Sequence, residues 1–324
     1  MNLSQNDSVV SIKKEQSSLA KKIFNVIMNY SHLKVFDIEI IFDDPDVDVA
    51  VRNHLKKINS FIHKNEPIRL ILPAFPAKSP NREKTLGIKP DLGEFLGLKR
   101  LNKICTQIQQ IYTPGAKVVI CSDGRVFSDI VQVNDDDVTT YSEALNDMIK
   151  RENINYLETF NLDNVFPELS YDEMRYELSN NYGESIEEVK YNVKNQESEK
   201  NLFNGLHKFV YEDMSVLNRE LSKNQLKKQS KEIAYQVIQR SHSWSDLVAK
   251  FFPECIRISI HPQKLNTGKI GIQLVKCNHN WGTPWHNVVL LDEEGYKLVK
   301  NKEAKEMGAE LISSQKGYSF YSMV

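Results

Sequence analysis

An α/β fold, Rossmann-like with a largely parallel sheet flanked by helices, is predicted by three consecutive features of the chain. Ile68 to Phe75 (Ile-Arg-Leu-Ile-Leu-Pro-Ala-Phe) is a mostly apolar run of strand length. Glu94 to Tyr112 places Phe95, Leu98, Leu101, Ile104, Ile108 and Ile111 at helical spacing, and Ala116 to Ser122 returns to strand composition after Pro114-Gly115. Strand, crossover helix and strand make a βαβ unit, whose right-handed crossover brings the carboxyl ends of both strands to one sheet edge. Two polar loops, from Pro76 to Leu92 and from Ser122 through Asp129, then become neighbours where open α/β sheets hold ligands.

The remaining elements follow in order. Residues 1–18 are expected to form a polar, flexible tail. The N-terminal half of the core, 19–136, opens with helical periodicity from Leu19 to Tyr30 (Leu19, Ile23, Val26, Ile27, Tyr30) and a second helix around Ala50 to Phe61. Residues 137–251 are mainly helical and are read as a layer or lid, with Ser170/Glu173 and Ser185/Glu188 as capping boxes. Gly183 to Lys200, charge-dense and poor in apolar residues, is expected to be solvated surface. Residues 252–324 supply the strands that complete the core: Cys255 to Ile260, Lys269 to Val275 and Asn287 to Leu291. Asn266-Thr267-Gly268 reads as a hairpin turn between the first two.

Composition narrows the function classes. The 324 residues suffice for one large domain with an insertion or for two smaller ones. Forty-two basic against 43 acidic residues leave no electrostatic footprint of a general nucleic-acid binder. Met1 to Gln16 lacks the apolar core of a signal peptide and no later run is long enough to cross a bilayer, so a cytoplasmic protein is expected. Cys105, Cys121, Cys255 and Cys277 have neither zinc-ribbon nor disulfide-framework spacing and are expected as reduced, mostly buried thiols.

Several clusters carry chemistry. Lys78, Arg82, Lys84 and Lys89 precede the crossover helix, whose N-terminal amides also favour anions, although no P-loop signature is present. Asp91 and Glu94 have capping-box spacing. Asp123-Gly124-Arg125 either points a carboxylate and a guanidinium into the cleft or forms a local pair that fixes the loop. Arg240-Ser241-His242-Ser243-Trp244-Ser245 groups polar side chains, while alternation puts Arg257, Ser259 and His261 on one strand face that should meet a wet cleft. Trp281-Gly282-Thr283-Pro284-Trp285-His286-Asn287 is either an aromatic pocket wall or a loop anchor. Cys255, His261, Cys277, His279 and His286 follow no compact zinc pattern, and dinucleotide and nucleophile-elbow signatures are absent.

Together, Phe75-Pro-Ala-Lys-Ser-Pro-Asn, Lys84-Thr-Leu-Gly, Pro90-Asp-Leu-Gly-Glu, Ser122-Asp-Gly-Arg-Val-Phe-Ser-Asp, Ile258-Ser-Ile-His-Pro and Gly282-Thr-Pro-Trp-His-Asn resemble the isocyanide (isonitrile) synthase family, which includes the pyoverdine/dityrosine biosynthesis proteins. The likeness runs in order from about Ile68 to Leu291. It implies an enzyme that converts the α-amino group of tyrosine or tryptophan, tyrosine ahead of tryptophan, into an isonitrile with ribulose 5-phosphate as carbon donor. It implies no metal or organic cofactor, and it implies an iron(II)/2-oxoglutarate-dependent oxygenase as pathway partner.

Under that resemblance Lys78, Lys84 and Arg125 are expected to hold phosphate and oxyanions, and Arg240 or Arg257 the amino-acid carboxylate. His261 and His286 would move protons, with Asp123 as a further acid/base or an orienting group. Ser79, Asn81, Ser259 and Thr283 complete the substrate-binding set, and Trp281 and Trp285 line the side-chain pocket. A Schiff base through Lys78 or Lys84 stays open. Two other readings compete: an enzyme of the dityrosine branch ending in an N-formyl amino acid, and a non-catalytic sensor of a sugar phosphate or amino acid.

Overall fold

A computed structural model describes residues 18–33, 45–277 and 282–324. The expected tail, 1–18, lies outside the described residues except for its last position. A helix over 18–28 (α1) buries Ala20, Ile23, Phe24 and Ile27, and α2, Pro45–Lys64, buries Val51, Ile58 and Phe61. The strand β1, Ile68–Pro73, is followed by the crossover helix α3, Leu92–Ile111, and by β2, Ala116–Cys121. Ile68, Leu70, Ile71 and Leu72 are fully buried, as a central strand covered on both faces requires. β1 and β2 pair in parallel from Ile68↔Ala116 to Pro73↔Cys121, and α3 lays Leu98, Leu101, Ile104, Cys105 and Ile108 on them.

After a short helix α4, Gly124–Phe127, and α5, Asp135–Arg151, comes β3, Leu157–Phe160, which pairs in parallel with β2. The middle segment contains α6, Tyr171–Asn181; α7, Ile186–Asn195; α8, Glu197–Leu217; and α9, Lys223–Phe251. The capping boxes at Ser170 and Ser185 both form. The 183–200 stretch is not merely solvated surface. Val189 and Val193 of α7 are buried against Phe203, Ala234 and Ile238, an apolar stripe too sparse to stand out among its charges. α9 docks this layer on the sheet through fully buried Trp244, whose ring stacks on Phe160.

The chain then returns to the sheet with β4, Ile256–Ser259, and β5, Ile270–Gly271. Strand order is β3-β2-β1-β4-β5, and every pairing is parallel. The expected hairpin at Asn266-Thr267-Gly268 is therefore a correction. That turn belongs to a connection between parallel strands, and a local turn signal says nothing about the direction in which the next strand pairs. Gly271 is required here because a Cβ would lie 2.6 Å from Gln263 N and 2.7 Å from the His261 carbonyl, so the chain leaving β4 folds closely over β5.

β6, Val288–Asp292; β7, Gly295–Val299; β8, Glu310–Ser313; and β9, Ser319–Ser322, with α10, Asn301–Glu306, between β7 and β8, do not extend the first sheet. They form a second one of order β7-β6-β9-β8. Val289, Leu298, Tyr318 and Phe320 join the main core from it. The four cysteines carry no disulfide, and burial pushes the Cys105 and Cys121 thiols up to about 12. No described helix is long and apolar enough to cross a membrane.

Because β2 and β3 lie on one side of β1 while β4 and β5 lie on the other, the connections leaving β1 and β4 diverge and open a crevice at their carboxyl ends. The loops after β1 and β2 touch there, as the βαβ reading requires. Ser122 Oγ donates to the Phe75 carbonyl at 2.8 Å, and a Cβ on Gly124 would sit 1.9 Å from the Pro76 carbonyl oxygen. Gly124→Ala should cost about 3 kcal/mol through backbone overpacking, measured by urea unfolding. A loss below about 0.5 kcal/mol would mean the two loops do not meet this closely.

Candidate active site

Residues after β1 leave the sheet through Phe75, a buried aromatic held at φ +59°, a left-handed conformation that non-glycine residues adopt only when their surroundings enforce it. The enforcement comes from packing on Trp285, ring centroids 5.2 Å apart, and from the Ser122 hydrogen bond. Three residues on, the Lys78 ammonium is buried. It reaches Asp91 Oδ2 at 2.8 Å, Glu94 Oε2 at 2.9 Å and the Pro284 carbonyl at 2.9 Å. Asp91 and Glu94 also form the expected capping box, with Gly93 N donating to Asp91 Oδ1 and Asp91 N to Glu94 Oε2, both at 2.9 Å. Tyr141 of α5 donates to Glu94 Oε1 at 3.2 Å.

Burial works against the Lys78 charge, but Asp91 and Glu94 outweigh it and hold the amine above the ordinary lysine value. One ammonium does not offset two buried carboxylates in full, and burial pushes Glu94 toward its neutral form. With three acceptors on three protons, Lys78 is a strut rather than a nucleophile.

A second network faces it from α8. Lys84 Nζ lies 2.7 Å from Asp213 Oδ1, 3.6 Å from Glu212 Oε2 and 3.9 Å above the Phe209 ring. Asn81 Nδ2 donates to Asp213 Oδ1 at 2.9 Å, and Ser79 Oγ to Asp213 Oδ2 at 3.4 Å. His286 stands between these networks, 4.4 Å from the Phe209 ring, with Nδ1 3.0 Å from Thr283 Oγ1. Burial of its ring, then the charges of Lys84, His261 and Lys78, hold it well below the ordinary histidine value. His261, past the end of β4, is lowered to about 4 by burial and then by His32 and Lys269. Both imidazoles are neutral at pH 7.

Asp123 closes the crevice from β2. The residue is half-buried, but its Oδ1 is sealed without a hydrogen-bond partner, and burial raises its carboxyl to about 7. Arg257 and Ser259 lie on the neighbouring face of β4, where Arg257 donates to Ser245 Oγ at 2.9 Å.

A profile of the pyoverdine/dityrosine biosynthesis protein family matches residues 58–312. The chain belongs to this family. It is 46% identical over 268 residues to the L-tryptophan isonitrile synthase AmbI2 of Fischerella ambigua, covering 83% of this chain and 81% of that one. It is 39% identical over 273 residues to an L-tyrosine isonitrile synthase of Pseudomonas aeruginosa, covering 83% of each. The crystal structure of the PvcA protein from Pseudomonas aeruginosa matches with a TM-score of 0.84 at 35% identity, over 94% of this chain and 99% of that one. This member of the pyoverdine/dityrosine biosynthesis family is an enzyme, and its Rossmann-like α/β fold is the one expected.

In this family member the structure brings Lys78, Ser79, Asn81, Lys84, Thr283 and His286 together, with His261 within electrostatic reach of His286. Arg125 and Arg240 are placed otherwise. Arg125 pairs with Asp135, not Asp123, donates to Thr139 Oγ1 at 2.9 Å and lies 3.6 Å over the Tyr171 ring. Arg240 grips Asp129 at 2.6 and 2.8 Å and the Val126 carbonyl at 2.9 Å, so both arginines fasten the loop after β2. Trp285, only 3% exposed, anchors its turn on Phe75, and its carbonyl accepts from Ser79 N at 2.9 Å. Trp281 lies outside the described residues. Asp213, Phe209 and Tyr141 escaped the sequence reading because an acidic or aromatic residue on a helix has no local mark of its distant partner.

Two outcomes follow from these charges. Lys78→Met strands two buried carboxylates and should cost about 3–5 kcal/mol in urea unfolding, partly recovered by adding Asp91→Asn and Glu94→Gln. Stability unchanged in the single variant would exclude the strut. Asp123 binds its proton more tightly folded than unfolded, so its contribution falls as pH rises from 3.8 to about 7. Asp123→Asn should flatten the stability–pH curve across that window, and an unaltered curve would show the carboxyl to be solvated.

Proposed function

We propose that this enzyme converts the α-amino group of an aromatic L-amino acid into an isonitrile, with ribulose 5-phosphate supplying the carbon. The observation that carries the reading is the pair of neutral imidazoles, His261 just past β4 and His286 in the turn before β6, the latter within reach of the Lys84 charge. Amine attack on a ketose carbonyl needs a deprotonated amine, loss of water needs a proton delivered to the departing hydroxyl, and fragmentation needs further proton transfers. A neutral imidazole accepts the first proton, and a bound anion beside it stabilises the imidazolium that returns it. Asp123, with its carboxyl raised to about 7, is a second store for a proton.

Lys84, Asn81 and Ser79 are oriented by Asp213, which ties the loop after β1 to α8. L-tryptophan is the favoured amino acid: identity is 46% to a tryptophan isonitrile synthase, against 40% and 39% to two tyrosine isonitrile synthases. Tyrosine is the second reading, on those last two relatives. An iron(II)/2-oxoglutarate-dependent oxygenase is the consumer of product that the family resemblance suggests.

The test is to incubate the protein with ribulose 5-phosphate and either amino acid, then detect the isonitrile by infrared absorption or tetrazine trapping. Turnover of L-tryptophan is expected, with kcat/KM about tenfold above L-tyrosine. His286→Ala should lower kcat by about 10²–10³-fold while the fold persists. Absence of any isonitrile with both amino acids would end this reading.

A further inference from the structure

The cations of the site differ in how much of their charge is already spoken for. Lys78 meets Asp91 and Glu94, Lys84 meets Asp213 and Glu212, Arg125 meets Asp135, and Arg240 meets Asp129. A phosphate drawn toward any of them also meets the carboxylate that neutralises it. Arg257 and Lys269 are different: among the described residues neither has a carboxylate within ion-pair distance.

Geometry sets these two cations side by side. β4 and β5 pair in parallel at Ile258↔Ile270 and Ser259↔Gly271, so positions 257 and 269, one step earlier on each strand, share a register level and a sheet face. That face is opposite to the one holding buried Ile258 and Ile270, and it carries Ser259 and, past the strand end, His261. Arg257 uses one terminal nitrogen on Ser245 of α9, at 2.9 Å to Oγ and 3.4 Å to the carbonyl, while its Nε is buried with no hydrogen-bond partner. Lys269 stands at the solvent-exposed rim of the same face. Desolvation and then the Arg257 charge lower the Lys269 ammonium, against a smaller opposing pull from Glu199. Two like charges at adjacent register positions are mutually unfavourable until an anion lies between them.

We propose that Arg257 of β4 and Lys269, the residue leading into β5, form the seat for the phosphate of the sugar-phosphate substrate. The assignment rests on the reaction proposed above and deepens it. A guanidinium fork and an ammonium with no carboxylate in ion-pair contact, only the more distant Asp246 and Glu199, suit a dianion, whereas an amino-acid carboxylate needs only one of them. The seat lies on the same side of β4 as His261 and so fixes the donor sugar beside that imidazole. Arg257 therefore serves the donor, rather than the amino-acid carboxylate that the sequence suggested for it.

The experiment uses the full chain and two variants, Lys269→Met on the exposed rim and Arg257→Lys, which keeps the charge but loses the fork. Binding of inorganic phosphate and of ribulose 5-phosphate is measured by calorimetry, and KM for each substrate by steady-state turnover. Lys269→Met should raise KM for ribulose 5-phosphate and weaken phosphate binding by about 10- to 100-fold, with the amino-acid KM within about twofold of the parent. Arg257→Lys should show the same selectivity at smaller size. An unchanged donor KM, or an equal rise in both, would overturn the phosphate seat while isonitrile formation by the parent keeps the reaction. Phosphate binding that the variants lose, in a protein that forms no isonitrile, would keep the seat and defeat the reaction.

Discussion

A single buried ammonium organises the carboxyl-terminal edge of the parallel sheet in this protein. Lys78 belongs to the loop leaving the central strand, yet its three protons are taken by two carboxylates at the start of α3 and by the carbonyl of Pro284. Withdrawn from water, that charge is tolerable only with all three acceptors in place. The arrangement therefore fixes the loop, the helix start and the Pro284–His286 turn against one another. His286 and Thr283 inherit their positions from it. So does the left-handed backbone at Phe75, which is held by Trp285 from that same turn.

Around this strut, charge is sorted by function. The loop after β2 is tied down by Arg125, Arg175 and Arg240 acting on Asp129 and Asp135, a compensated web spanning α4, α5, α6 and α9. Lys84 is matched by Asp213 of α8, which brings the helical layer onto the loop after β1. Among the described residues, Asp123 Oδ1 is sealed without a hydrogen-bond partner, and neither Arg257 nor Lys269 has a carboxylate within ion-pair distance. Polar groups buried or crowded without compensation weaken a fold, which is why such groups near strand ends are candidates for contact with a ligand.

Much of the framework was legible in the chain. The β1–α3–β2 unit shows itself through apolar periodicity, and the boxes at Asp91, Ser170 and Ser185 through the three-residue spacing of their partners. The sequence also singled out Lys78, Lys84, His261 and His286, and the charges of the first three act on the buried His286 ring. Their roles were harder to read: Lys78 looked like an anion ligand and is a strut, while Arg125 and Arg240 looked like ligands and fasten a loop. Asn266-Thr267-Gly268 carried a true turn signal and a false strand direction.

What the sequence determined by itself was whatever acts within a few residues: helix periods, caps, turns and the two-sided burial of β1. Only the tertiary structure decided which charges cancel and which stay open. Asn81 and Asp213 lie 132 positions apart and Lys78 and Pro284 206 apart, and nothing in the local chemistry of either member names the other. Electrostatic compensation depends on distance and burial in space, so the difference between a buried strut and a ligand-binding cation exists only once the chain has folded.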